Sequence, residues 1–433
     1  MNIAYVYPWD VVGDPTAPDR LAALGVEAVA LAASYHSTRA ATPYHPSHRV
    51  LDVPYSAFYL PVRPSAWSRL VPATPTWTAP DAYLQARDAL KAAGLKVHAW
   101  TVLTHNSHLG TAHPDLVVRN AFGDPYPYAL CPAHEDVVDY CERLVREILE
   151  VGEPDGLILE ACGPLGFGHQ SIHEKTAGAD WSSTDADLLS LCFCTACADR
   201  YPSPTRAQVR TAIDHPPPPT PETPSPATRT TSTTSGATSP TTTAASGTSG
   251  AASPATTPTS GTSPAHLPPF GGTSPNPTPD TVDQALGPLA DEVRSIRVAL
   301  STSLRKRLIA TARSTAPDTP ITLHANPDPW AAGAFAPLPA GEPEADVLVA
   351  NCWGDPTTDA IRLARLKDLS TPGQRIGAYV LALPPRPADP AVLADHLSTY
   401  TKAGATEFHL YHAGLASPQR LTALAEALHQ HHP

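Results

Sequence analysis

Eight short apolar runs, interspersed with segments at helical spacing, constrain the fold of this chain more than any other feature. The runs are Asn2–Tyr7, Glu27–Ala32, Lys96–Leu103, Gly156–Glu160, Ile321–His324, Val347–Asn351, Ile376–Leu381 and Glu407–Tyr411. Helices are predicted at Pro18–Leu24, Ala82–Ala93, Asp136–Val151, Val282–Ser314, Asp359–Lys367, Ala391–Ala403 and Pro418–His429. Apolar strands that alternate with helices require a parallel sheet, because the crossover helices bury both of its faces. Eight such units fit a closed (β/α)8 TIM barrel of the α/β class. An open doubly wound sheet is the alternative. It lacks support, because no Gly-x-Gly-x-x-Gly follows the first strand.

One segment interrupts the alternation. From 202 to 280 the chain is almost wholly Pro, Thr, Ser, Ala and Gly, and it holds many of the 51 prolines among 433 residues. Such a composition buries too little apolar surface to offset the entropy of ordering. It is expected to be a disordered insert after the fourth strand. The insert separates the first half of the barrel (1–201, with a cysteine cluster) from the second half (281–433).

Charge and hydropathy exclude several classes. The net charge is −12 and no basic cluster is present, so nucleic acid is not an expected partner. No run of 18 apolar residues exists, so no membrane span is expected. The first residues read as a strand rather than a leader, and the expected location is cytoplasmic. The oligomeric state is not legible.

Three of the seven cysteines crowd into Cys192-Phe193-Cys194-Thr195-Ala196-Cys197. Without export, such a run favours thiolates on a metal over a disulfide framework. Closed zinc sites take four ligands. Cys131, in Leu130-Cys131-Pro132, is the first candidate for the fourth, with Cys141 and Cys162 as alternatives. Inert buried thiols are the plainer reading.

In a barrel the active site lies where the strands end and the βα loops begin. Glu160 ends the apolar run Leu157-Ile158-Leu159-Glu160, where desolvation is expected to raise its pKa and keep it protonated as a general acid. Glycoside hydrolysis needs a second carboxyl group. Asp355, after the sixth strand, and Asp10, after the first, are the candidates, ahead of Asp328 and Glu174. Asp355 also stands where a helix N-cap belongs. Histidines gather at other strand ends: His36, His105, His324 and His412, with His169 and His173 in the Gly-rich loop after strand four. Trp9, Tyr35, Trp330, Trp353 and Tyr411 lie near the same rim and offer faces on which a sugar ring stacks.

The order Cys131-Pro132, helix, strand ending in Glu160, then Cys-x-Cys-x-x-Cys resembles the bacterial β-galactosidases of glycoside hydrolase family forty-two. The resemblance covers roughly Lys96 to Tyr201. It implies a glycosidase-superfamily barrel, a structural zinc on Cys131, Cys192, Cys194 and Cys197, and an acid/base role for Glu160. The chain departs from the pattern at Leu159, where the family has Asn. It departs again at Tyr379–Pro384, where the family carries its nucleophile Glu. The leading expectation is a glycoside hydrolase acting on a carbohydrate. The alternatives are a glycan-binding barrel without activity and a metal-dependent hydrolase using the rim histidines.

Overall fold

The structure is a computed structural model that describes residues 1–169, 174–214, 279–338 and 345–431. Eight parallel strands form its centre: β1 (Asn2–Val6), β2 (Ala28–Tyr35), β3 (Lys96–Val102), β4 (Gly156–Glu160), β5 (Ile321–Asn326), β6 (Val347–Cys352), β7 (Arg375–Leu381) and β8 (Glu407–Tyr411). Each pairs with the next in sequence, and β1 pairs with both β2 and β8. Ile3 therefore sits opposite Ala28 on one side and His409 on the other, which closes the ring. The expected barrel is the fold.

Helices α1 (Ala17–Ala22), α2 (Ala82–Ala92), α3 (Glu135–Gly152), α4 (Ala290–Thr315), α5 (Pro356–Leu369), α6 (Pro390–Lys402) and α7 (Pro418–His431) accompany the strands. In α3 the residues Val137, Cys141, Leu144, Val145 and Ile148 recur at helical spacing and are buried. Just beyond α3, the Asp155 carboxylate accepts the Val97 N–H at 2.8 Å, which ties the start of β4 to β3.

Two expectations need correction. Val282–Ser314 is not one helix: a helix at Pro279–Leu286 ends before α4, with a 3-10 turn at Gly287–Leu289 between them. Gly287 takes φ +54 and Pro288 follows, so the break has a local cause. The insert read from 202 also starts too early. Thr205–Asp214 is a helix with Val209 fully buried, and its Gln208 Nε2 donates to the Ala285 carbonyl at 2.8 Å. Residues 215–278 lie outside the described residues. No described helix is long and apolar enough to cross a membrane.

The sequence reading missed two hairpins in the loops above the barrel, Thr38–Ala41 with Val50–Val53 and Val117–Arg119 with Pro125–Leu130. The barrel core itself is unusual. Where Val, Ile and Leu ordinarily fill a (β/α)8 interior, this one holds Tyr5, His98, Trp100, His324, Tyr379 and His409, all 3% exposed or less.

Candidate active site

β4 carries Glu160 to the mouth, and the chain turns sharply behind it, with Ala161 at φ +55. The carboxylate is buried, with its side chain 10% exposed. The Trp100 indole N–H from β3 donates to its Oε2 at 2.6 Å. His324 Nδ1 from β5 lies 3.3 Å from the same oxygen. Desolvation pushes the Glu160 pKa up, but His324, then Trp100 and His36, outweigh it and hold the carboxyl below its ordinary value. The expectation of a protonated acid is corrected. The free protein holds Glu160 as a carboxylate, because its neighbours are donors rather than hydrocarbon.

The rim histidines divide into two groups. His36, His105 and His169 meet beside Glu160: His36 stacks on His105 at 4.1 Å, and His105 Nδ1 and His169 Nε2 are 3.0 Å apart. Burial lowers the pKa of all three, that of His169 to about 4, so they are neutral at pH 7 and act as hydrogen-bonding groups. His324 and His412 are wholly buried. His324 reaches the site only through Glu160. His412 packs on Tyr7 at 4.3 Å, and burial lowers its pKa to about 3. It is a core residue rather than a rim ligand. His173 lies outside the described residues, and Glu174 begins a short helix whose side chain there is not described.

Among the aromatics, Trp353 and Tyr411 remain partly exposed, with rings 4.7 Å apart, and Trp353 stacks on Tyr379. Tyr35 is 4% exposed and meets the Tyr7 ring edge-on at 4.8 Å. Trp9 is 2% exposed and stacks on Tyr7 at 4.4 Å, so it supports the mouth from within. Trp330 is equally buried and donates to Asp283 at 3.1 Å.

The candidate second carboxylates part company. Asp355 is exposed and caps α5, accepting from Thr357 N and Thr358 N at 3.0 and 3.1 Å. Its carboxylate belongs to the helix, for the reason the Pro356-Thr-Thr sequence gives. Asp328 accepts the Trp330 N–H at 2.9 Å and shapes the turn after β5. Asp10 is different. Its Oδ2 accepts the Tyr7 N–H at 2.8 Å, its Oδ1 is buried without a hydrogen-bond partner among the described residues, and desolvation raises its pKa to about 7 despite Tyr7 and Arg20. Both Asp10 and Glu160 act electrostatically on Tyr411.

Away from this site, the hairpin ending at Leu130 presents Cys131 to the cysteine run, and Phe193 N donates to Arg119 O to fasten the two together. Cys131 Sγ lies 3.7 Å from Cys192, 3.7 Å from Cys194 and 3.5 Å from Cys197. All four ligand atoms fall within 4.8 Å of one another. A disulfide needs about 2.0 Å. Zinc–sulfur bonds of about 2.3 Å at tetrahedral angles need sulfurs about 3.8 Å apart, and these four fit. Cys141 and Cys162 are buried elsewhere in the core. Among the described residues no group of histidines converges in this way.

Sequence reasoning missed Trp100, Tyr5, His409, Glu407 and Tyr379. A signal existed in the period-two pattern, since His98 and Trp100 on β3, and Tyr5 on β1 with Tyr7 just beyond it, alternate with apolar residues.

No protein-family model and no curated protein matches the sequence. Among solved structures, the catalytic domain of β-amylase from Paenibacillus polymyxa has a TM-score of 0.50 and 13% identity, covering 100% of this chain and 99% of that one. α-L-Fucosidase isoenzyme 2 from Paenibacillus thiaminolyticus has a TM-score of 0.49 and 11% identity, covering 99% of this chain and 49% of its own. The β-galactosidase of Halorubrum lacusprofundi has 0.49 and 11%, covering 100% and 58%. The chain thus spans about half of the fucosidase's length. What it shares with the β-amylase domain, matched from end to end, is the barrel fold.

Proposed function

We propose that this barrel is a glycoside hydrolase whose essential carboxylate is Glu160. The observation that carries the reading is the position of that group: a buried carboxylate at the C-terminal end of β4, 2.6 Å from an indole N–H, beside neutral histidines and the partly exposed rings of Trp353 and Tyr411. A sugar offers hydroxyls for such imidazoles and C–H faces for Trp353 and Tyr411. The neighbour matched from end to end is a β-amylase domain, which agrees with a carbohydrate substrate. Glycoside cleavage requires one ionised and one protonated carboxyl group. Glu160, held ionised, is the base or nucleophile, and Asp10, protonated up to about pH 7, is the acid. Cys131, Cys192, Cys194 and Cys197 hold a structural zinc, which ties the hairpin to the cysteine run and takes no part in the chemistry.

Glu160→Gln assayed on a glycan panel tests the assignment. Turnover falls by at least about 10²-fold if Glu160 is catalytic, and a fully active variant overturns it. A second reading is favoured by the end of β7, Val380-Leu381-Ala382, which carries no carboxylate. In that case calorimetry shows glycan binding and no glycan is cleaved.

A further inference from the structure

Glu160 is the upper end of a buried chain of polar groups that runs down the barrel axis. His324 Nδ1 lies 3.3 Å from the Glu160 carboxylate, and His324 Nε2 is 3.0 Å from the Tyr5 hydroxyl. The same hydroxyl is 3.0 Å from His409 Nδ1, and His409 Nε2 lies 3.7 Å from Glu407 Oε2. Glu407 opens β8 at the floor of the barrel, where Arg375 pairs with it. Tyr5, His324 and His409 have no solvent exposure, and Glu407 has 1%. Gly377 makes room for the lowest ring, since a Cβ there would stand 3.1 Å from His409 Cδ2.

Counting protons shows what the chain does. It has four junctions: Glu160 to His324, His324 to Tyr5, Tyr5 to His409, and His409 to Glu407. Counted with a single N–H on each imidazole, His324, Tyr5 and His409 bring one proton each. Three protons cannot fill four junctions; the two 3.0 Å junctions of Tyr5 each hold one, so all three point one way and only one carboxylate receives a donor. If His324 Nδ1–H serves Glu160, Tyr5 donates to His324 and His409 Nδ1–H donates to Tyr5. That leaves His409 Nε2 bare towards Glu407. The longest gap, 3.7 Å, is at this junction, and Arg375 holds Glu407 there in compensation.

We propose that Tyr5, His324 and His409 form a proton relay that couples the charge of Glu160 to Glu407 at the barrel floor, with Tyr5, His409 and Glu407 as positioning residues. A proton taken up at His409 Nε2 passes on by one shift at each junction, from His409 Nδ1 to Tyr5, from Tyr5 to His324 Nε2, and from His324 Nδ1 to Glu160. No bond other than these O–H and N–H bonds changes. Besides the relay partners, His324 faces Tyr379 and the Phe335 ring, and His409 is exposed to the fields of His98, His324 and the N-terminal amine. None of these interrupts the two Tyr5 hydrogen bonds at 3.0 Å or the 3.3 Å approach of His324 Nδ1 to Glu160. The consequence for catalysis rests on Glu160 being the working carboxylate, but the relay does not.

The test is ¹⁵N NMR of the histidine-labelled full chain, with the His324 signals assigned by their loss in His324→Asn. The wild type shows His324 protonated at Nδ1. Arg375→Gln removes the cation from Glu407, which then claims the His409 Nε2 proton. His324 switches to the Nε2–H tautomer and the Glu160 midpoint rises by about one pH unit. Adding Tyr5→Phe cuts the link and abolishes the switch. An Arg375→Gln protein that is folded by near-ultraviolet circular dichroism, with His324 unchanged, overturns the relay. Should that variant not fold, Tyr5→Phe alone replaces it: His409, released from the Tyr5 hydroxyl, moves its proton from Nδ1 to Nε2 towards Glu407 if the relay operates, and an unchanged His409 tautomer overturns it. A catalytically active Glu160→Gln protein removes the enzymatic assignment and leaves the NMR result standing.

Discussion

At Glu160 burial and hydrogen bonding pull in opposite directions, and the donors win. A hydrogen bond to a charged group is worth roughly 1.5–3 kcal/mol. Trp100→Phe keeps the ring and removes its N–H, so the Glu160 pKa should rise by about one unit or more. The acidic limb of the pH–rate profile, where Glu160 must be ionised, then moves up by the same amount. Asp10 behaves in the opposite sense. Its folded pKa is about 7, against an ordinary 3.8, so its neutral form favours the fold and that stability is lost as pH rises between these values. The loss is on the order of 4 kcal/mol. Asp10→Asn should flatten the fall in Tm between about pH 4 and pH 8, as calorimetric melts would show, while lowering turnover. Glu160 was legible because a carboxylate ending an apolar strand has few structural uses. Its charge state was not, because Trp100 and His324 reach it from β3 and β5, far away in sequence.

The cysteine run shows an element-scale dependence. Hairpin Val117–Arg119 with Pro125–Leu130 and the run 192–197 meet through the Phe193 N–H, which donates to the Arg119 carbonyl, and through Cys131, which stands among Cys192, Cys194 and Cys197. Elemental analysis should find one zinc per chain, and Cys194→Ser should lose it. The variant should melt earlier, because the binding energy of a structural zinc is also folding energy. Turnover per folded molecule should change little. The spacing of the cysteines was readable, and so was the Asp355 cap, since both are local in sequence. The hairpins were overlooked because their strands are short and partly exposed, so neither has the continuous apolar signature of a barrel strand.

The whole molecule joins its two halves through β4 and β5, where Leu157 pairs with Ile321, and through Arg307 of α4, which reaches Glu135 and Glu142 of α3. Thr205–Asp214 and Pro279–Leu286 meet side by side above them. All these contacts lie among the described residues. Replacing residues 216–277 by a short Gly-Ser linker should therefore leave the barrel folded, with Tm changed by no more than about 2–4 °C, a shift worth about 1 kcal/mol or less. A loss of the cooperative melt would show instead that the segment is part of the core.

By itself the sequence determined the barrel, the strand that ends in Glu160 and the four cysteines. Period, composition and short spacings are properties of neighbouring residues. Tertiary structure alone decided that Glu160 is ionised, that the Asp10 side chain is buried while Asp355 is exposed, and that Tyr5, His324 and His409 line up beneath the mouth. Those outcomes depend on distances between strands, and ring closure fixes such distances only after every strand has found its partner.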